Sequence, residues 1–253
     1  MKRDNIGKLA SINVLGLPNQ IKRGVVIEAF EALRFDVLCL QVHVRGEGKP
    51  DTFDERNSVF AYVGYKSKSD TGVGVLFSSR VQIEDVKLVS ARLARADIVF
   101  GGLKMRTFTC YAPPDTDSHL EEYKDTMFVD IPKQMRAIKA PYKPVIMGDF
   151  NASIDKEAHG SGWQCLGEAV DDHVSETHGD NGHRLLTFCG EFGLFLKDTM
   201  KFQKAQGMWR IAMSFTKRID YNACGRFLWD RSLSCRVRRG SSQFFTSDHY
   251  LLE

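Results

Sequence analysis

The sequence predicts an α/β (α+β) fold with sheet at its centre and helices outside, and three observations carry that reading. Apolar runs of strand length, rich in Val, Ile, Phe and Thr, recur along the 253 residues. Amphipathic stretches of helical length are interleaved with them. The order is mixed, neither a regular βαβα alternation nor an unbroken series of strands, and such a mixture folds as layers of helix on sheet.

The elements follow in order. KLASINVLGL, FDVLCLQV, GVGVLFSS, VQIEDVKLV, ADIVFGGLKM, RTFTCYA and KPVIMGDF read as strands, most of them too short for a helix. Lys22 to Arg34 places Val25, Val26, Ala29, Phe30 and Leu33 at helical spacing. His119 to Lys139 does the same with Leu120, Tyr123, Met127, Ile131 and Met135, with Pro132 as a break point. Asn181 to Gly193 is a third amphipathic helix, with Gly193 as its C-cap. RGEGKPDTFDERN, APPDTDSH and SIDKEAHGSG read as loops between strands. With no repeat, low-complexity tract or Ser/Gly-rich linker, a single domain over residues 1–253 is expected.

Composition bounds the function. At 43% hydrophobic and 26% charged residues, the chain has material for a large core, and disordered, collagenous and coiled-coil classes are poor fits. No apolar run reaches about 18 residues and the opening MKRDNIGKLA has no apolar segment. Neither a membrane span nor a secretory signal is expected, and the expected location is nuclear or cytoplasmic. Six cysteines form no CxxC pair and several sit in apolar runs, the pattern of reduced, mostly packed thiols. Charge is uneven: residues 201–253 carry a balance of +6 and residues 1–200 a balance of −3. A basic end of this kind attracts a polyanion, although a solvated surface gives the same count. Nothing in the sequence points to an obligate protein partner.

The most specific chemical signal is PVIMGDFNAS. An apolar strand ends at Gly148, and Asp149 and Asn151, two residues apart, aim a carboxylate and an amide at one point. A carboxylate there takes a metal or a proton, and an amide orients a water or a phosphate oxygen. The same D-x-N also serves as an Asx turn capping the strand. A second cluster is Ser247, Asp248 and His249 in FFTSDHYLL. Adjacent residues of an extended segment face opposite ways, so Asp248 cannot orient His249; Asp220 of KRIDYNA is the candidate carboxylate for that task. A satisfied structural histidine is the alternative reading of His249.

Taken together, GDFNA, the late SDH, Asn13 in the first strand, Tyr111 of CYAPP and the internal IDY resemble the endonuclease/exonuclease/phosphatase superfamily, over Ser11 to Leu252. GVGVLFSSR, YAPP, GDFNASI, NGHRLLTFCGEFGL, RIDY and SDHYLL look most like the endonuclease domain of RTE-like non-LTR retrotransposons and their domesticated relatives. The resemblance implies a four-layer sandwich of two mostly antiparallel β-sheets flanked by helices, with a site at one edge. It implies metal-dependent hydrolysis of a DNA phosphodiester, with Mg²⁺ as cofactor and Mn²⁺ as a substitute. Carried over, Asp149 activates or orients the attacking water and Asn151 positions it or a phosphate oxygen. His249, held by Asp220, and Tyr111 contact the phosphate; Asn13 and Asp248 belong to the metal shell. Arg218, Arg226, Arg236, Arg238 and Arg239 are the expected contacts to the DNA backbone, and Trp209 is kept open as an aromatic beside the DNA.

One departure from the family pattern weighs against this. The strand FDVLCLQV ends in Val42 where the family has the glutamate that is its principal metal ligand. Valine has no oxygen to offer, and Glu47, past Gly46, is the nearest replacement in sequence. With the sequence ending at Glu253, no further domain is expected to follow, as expected of a drifted element copy or a gene derived from one. Two readings therefore stand: a weakened DNA endonuclease, and an inactive descendant that keeps the fold and binds nucleic acid. A phosphatase acting on a small phosphoester is a more distant third.

Overall fold

Alternation along the strands sets the architecture. In a strand, successive side chains face opposite sides, and the apolar residues here occupy both. The computed structural model describes residues 7–14, 20–43, 51–55, 58–64, 71–115, 121–155, 163–166, 179–196, 209–211, 215–217, 220–230, 237–238 and 251–252. Its strands, numbered in chain order, form two large sheets. The seven-stranded sheet contains β1 (Leu9–Asn13), β2 (Val37–His43), β3 (Asp51–Glu55), β4 (Ser58–Gly64), β5 (Thr71–Phe77), β14 (Val237–Arg238) and β15 (Leu251–Leu252), in the order β14-β15-β1-β2-β5-β4-β3. The six-stranded sheet contains β6 (Gln82–Ser90), β7 (Leu93–Phe100), β8 (Leu103–Tyr111), β9 (Lys143–Asp149), β10 (Leu194–Leu196) and β13 (Asp220–Gly225), in the order β10-β13-β9-β8-β7-β6. A separate hairpin pairs β11 (Trp209–Ile211) with β12 (Phe215–Lys217). β1–β2 and β8–β9 pair parallel and the other described neighbours antiparallel.

Three apolar layers follow from that alternation. Val37 and Cys39 of β2 meet Val145 and Met147 of β9 between the sheets. Leu38, Leu40 and Val42, on the opposite side of β2, pack with Val26, Phe30 and Ile27 of α1 (Gln20–Leu33). Ile146 of β9 faces outward to Met127, Ile131 and Met135 of α2 (Glu121–Arg136) and to Leu185, Leu186 and Phe188 of α3 (Asp180–Phe192). The result is helix, sheet, sheet, helix, the expected four-layer sandwich. A short α4 (Arg226–Trp229) follows β13.

The differences from the sequence reading have physical reasons. Pro132 lies inside α2 and does not end it. Met127, Ile131 and Met135, four residues apart, are all buried on the sheet, and roughly 1.5–3 kcal/mol for each buried apolar side chain outweighs the ~3 kcal/mol that an interior proline costs. ADIVFGGLKM is two strands: Gly101 (φ 56°) and Gly102 (φ 80°) turn the β7–β8 hairpin, and LKM joins RTFTCY as β8. β3 falls within the expected loop RGEGKPDTFDERN, where it pairs with β4, a strand absent from the sequence reading although SVFAYVG is aromatic and β-branched. Gly193 caps α3 in the left-handed conformation, as its place after Phe192 suggests. Five cysteines are free and buried, and Cys235 lies outside the described residues. Burial pushes the Cys39 thiol up to about 12 and the Cys110 thiol well above its ordinary range. Both pack as small neutral groups. No described helix is long and apolar enough to cross a membrane.

Candidate active site

Three strands of the six-stranded sheet end in line. β8 and β9 run parallel with Tyr111 opposite Asp149, and β13 runs antiparallel on the other side with Asp220 opposite Asp149. The two sides of β9 thus bring Tyr111 and Asp220 into register with one carboxylate from three distant parts of the chain. Gly148 makes the approach possible. Its φ is 154°, and a Cβ there would lie 2.1 Å from the carbonyl oxygen of Cys110, a backbone atom that cannot move aside.

Beyond Asp149 the chain leaves the sheet, so strand alternation does not aim Asn151. A turn does. The Asn151 N–H donates to Asp149 Oδ1 at 2.9 Å, and the Asn151 side chain donates through Nδ2 to the Ala112 carbonyl at 2.7 Å. The Ala112 N–H donates to the Asp149 carbonyl at 2.8 Å, so the loops after β8 and β9 are bound to each other. Asn151 sits at φ 46°, a left-handed conformation that asparagine tolerates better than most residues. The Asx turn and the expected carboxylate–amide pair are one structure.

The second sheet closes the site. Toward this edge the layer between the sheets changes from hydrocarbon to amide and hydroxyl: Ser11 Oγ and the Gln41 amide exchange hydrogen bonds at 3.2–3.3 Å, and Asn13 stands beside Gln41. Asn13 Nδ2 donates to Asp149 Oδ2 at 3.0 Å, across the interface between the sheets. Asp149 is 1% exposed and Asn13 2%, and each carboxylate oxygen of Asp149 accepts an N–H. These bonds satisfy both oxygens of a buried carboxyl group.

Sequence reasoning missed two neighbours. Arg92, itself buried, donates through Nη1 to the Tyr111 carbonyl at 3.1 Å and lays its guanidinium 5.5 Å from the centre of the Tyr111 ring. That places a cation on a phenol at the site. Asn181, also buried, donates to the carbonyls of Pro113 and Asn151 at 2.7 and 3.3 Å. Arg92 in SARLARAD carries no motif, and Asn181, although it opens NGHRLLTFCGEFGL, is not marked there as a site residue, so only the folded contacts find their partners.

The other expected residues separate. Asp220 lies on β13 beside Asp149 by backbone register. His249, Asp248, Arg218, Arg236, Arg239 and Glu47 lie outside the described residues, and of Arg238 and Trp209 only the strands that carry them are described. Leu251 and Leu252 form β15 antiparallel to β1, with Leu252 opposite Ser11, so β15 begins toward the Asn13 end of β1. Arg226 lies away from this edge: it follows Gly225 at the far end of β13, hydrogen-bonds Asp230 at 2.9 Å and covers the Phe195 ring. Val42 is fully buried and belongs to the layer beneath α1.

This donor set bears on the divalent cation implied by the resemblance. Among the described residues, no group of three His, Cys, Asp or Glu side chains stands together as a metal centre. Asp149 supplies one carboxylate, already accepting two N–H donors, and the nearby strand end of β2 supplies valine. The described residues therefore do not fit a firmly held Mg²⁺, which wants oxygen ligands in octahedral array.

Neither a protein-family model nor a curated protein matches the sequence. Solved structures do match its fold. The endonuclease domain of TRAS1, a telomere-specific non-LTR retrotransposon, superposes with a TM-score of 0.64 at 14% identity, covering 97% of this chain and 95% of that one. An AP endonuclease from Archaeoglobus fulgidus gives 0.69 at 20% identity with 98% of both chains covered. An endonuclease/exonuclease/phosphatase family protein from Leptotrichia buccalis gives 0.63 at 15% identity, again with 98% of both covered. The chain has the endonuclease/exonuclease/phosphatase fold along nearly its whole length.

Proposed function

We propose that the chain is a phosphodiester hydrolase of nuclease type acting on DNA, a single domain of retrotransposon-endonuclease character whose hydrolytic carboxylate is assembled and whose hold on metal is weakened at Val42. One observation supports this most. Asp149, buried at a strand end, is held from the second sheet by Asn13 and from its own loop by Asn151, in register with Tyr111 and Asp220. A carboxylate fixed by neutral donors is a ready proton acceptor for a water, and holding it in place removes the entropy of finding that geometry.

In this reading Asp149 takes the proton of the attacking water and Asn151 orients that water or a phosphate oxygen. Tyr111, braced by Arg92, donates to a phosphate oxygen, and His249, oriented by Asp220, stabilises charge at phosphorus. Asn13 keeps Asp149 aimed, and Asp248 is a further oxygen donor for a cation. A bound Mg²⁺ or Mn²⁺ would neutralise phosphate charge; given the donor set, no step is assigned to it. Arg218, Arg236, Arg238 and Arg239 contact the DNA backbone, without Arg226. That gives salt-sensitive affinity and no sequence readout.

The test is nicking of supercoiled plasmid with Mg²⁺ or Mn²⁺. The parent should nick slowly, Asp149→Ala should lower the rate at least about 100-fold, and Val42→Glu should raise it at least about 10-fold. Salt-sensitive DNA binding with no nicking by the parent or by Val42→Glu would overturn the hydrolase reading. It would select the alternative, a non-catalytic descendant that keeps the fold and binds nucleic acid.

A further inference from the structure

The loops that carry Tyr111 and Asn151 are both bound to the first turn of α3, through one side chain. Asn181 is fully buried, and its Nδ2 donates to the Pro113 carbonyl at 2.7 Å and to the Asn151 carbonyl at 3.3 Å. Its Oδ1 has no hydrogen-bond partner among the described residues, so the two carbonyls set the orientation of the amide. The contact to Asn151 is the more informative. Asn151 holds a left-handed backbone, a conformation that persists only where the surroundings fix it. Its own N–H and side chain are committed to Asp149 and Ala112, and Asn181 fixes the third polar group, its carbonyl.

The simpler role for such a residue is to cap a helix, but the structure gives that task to another group. Gly179 has no side chain with which to cap α3, and the Asp115 carboxylate takes its place, Oδ1 accepting the Asn181 backbone N–H at 3.0 Å. The close approach needs glycine: a Cβ on Gly179 would lie 2.1 Å from Asp115 Oδ2. Lys124, its side chain 1% exposed, lies 3.5 Å from Asp115 and 3.9 Å from Asp180 and balances the charge. The cap thus uses the Asn181 main chain, and the amide is left for the two loops.

We propose that Asn181 is a positioning residue for the site: its amide holds the loop after β8 and the loop after β9 at fixed separation, and so keeps the Asn151 N–H on the Asp149 carboxylate. Its consequence for catalysis rests on the hydrolase reading; its structural part does not. The two are tested together by amide hydrogen exchange and plasmid nicking on Asn181→Ala, on Asn181→Asp, which keeps the shape and removes both donors, and on Asp115→Ala as the cap variant.

Both Asn181 variants should speed exchange of the Asn151 amide about fivefold, the factor that loss of one net hydrogen bond corresponds to. Ile146 in β9 and Leu185 in α3 should change by less than about twofold, within the scatter expected of uncoupled sites. Asp115→Ala should show the reverse pattern, with faster exchange along α3. In nicking, kcat should fall about tenfold with KM for DNA nearly unchanged, the pattern of a lost interaction made in the transition state. Equal acceleration at Asn151 and along α3, or none at Asn151, would overturn the proposal. If neither the parent nor Val42→Glu nicks, the hydrolase reading fails while the exchange pattern still decides the role of Asn181.

Discussion

Two strand ends at the same edge of the sandwich have been filled in opposite ways. β9 ends in a carboxylate whose two oxygens accept N–H donors from two elements, next to a glycine that lets the strands close up. β2, in the facing sheet, has near its end Val42, wholly absorbed into hydrocarbon with Ile12, Val14, Leu40 and Phe30. Each arrangement satisfies the rule that buried groups find matching neighbours. The difference shows that the fold does not depend on polar character at both places along this edge. One place is hydrocarbon while the other holds a hydrogen-bonded carboxylate.

The largest effect should come from the polar end. Gly148→Ala drives a Cβ into the Cys110 carbonyl and imposes a side chain on a φ of 154°. With backbone on both sides the strands must part, and a loss of about 4 kcal/mol or more by urea unfolding is expected. A loss below about 1 kcal/mol would mean that the strand ends are looser than this register.

Next in size is the apolar end. Val42→Glu puts an unpaired carboxylate among hydrocarbon, which should cost about 2–4 kcal/mol in metal-free buffer. The sign with pH is set by burial, which raises a carboxyl above its unfolded value. The variant is then closest to the parent below that value and falls behind as pH rises through the folded one. Millimolar Mg²⁺ should return part of the loss if the longer side chain reaches Asp149. No loss in metal-free buffer would break the comparison, because position 42 would then not be a hydrocarbon site.

The smallest effect lies away from both ends. Glu84, on exposed β6, accepts hydrogen bonds from Lys104 Nζ at 2.6 Å and from the Tyr142 hydroxyl. The Lys104 bond and then the Tyr142 bond hold its carboxyl below the ordinary 4.5. Its stabilisation is present above that value and lost as pH falls through the lower folded one. The Tm of Glu84→Gln should sit slightly below that of the parent near about pH 7 and converge with it near about pH 3. A gap that widens in acid would contradict this sign.

The reach of the sequence differs between fold and site. The layers were legible because FDVLCLQV and KPVIMGD alternate apolar side chains on both faces, which requires a covered sheet on each side. Pro132 was misjudged because a local rule met a three-residue apolar stripe that outweighs it. The β7–β8 hairpin was hidden because Gly101 and Gly102 sit inside one apolar run. At the site, Asp149, Asn151, Asn13 and Tyr111 could be picked out because they stand at strand ends in recognisable motifs. That Asp149 accepts from Asn13 could not, since the pair is 136 residues apart and no local pattern encodes it. Arg92 and Asn181 act through backbone carbonyls, which every residue has, so their partners leave no trace in the sequence.

The position of β1 carries a consequence for how the protein is made. β1 is synthesised before every other described strand, yet it lies between β2 and β15, with Ser11 opposite Leu252. On the ribosome, β1 can pair on one side as soon as β2 emerges, while its other edge waits until β15 has been made. During translation that edge offers unpaired N–H and C=O groups to any neighbouring strand, including those of other nascent copies. Pairing across so long a span is slow. The yield of folded protein should therefore respond more to chaperone supply and growth temperature than the stability of the finished sandwich would suggest.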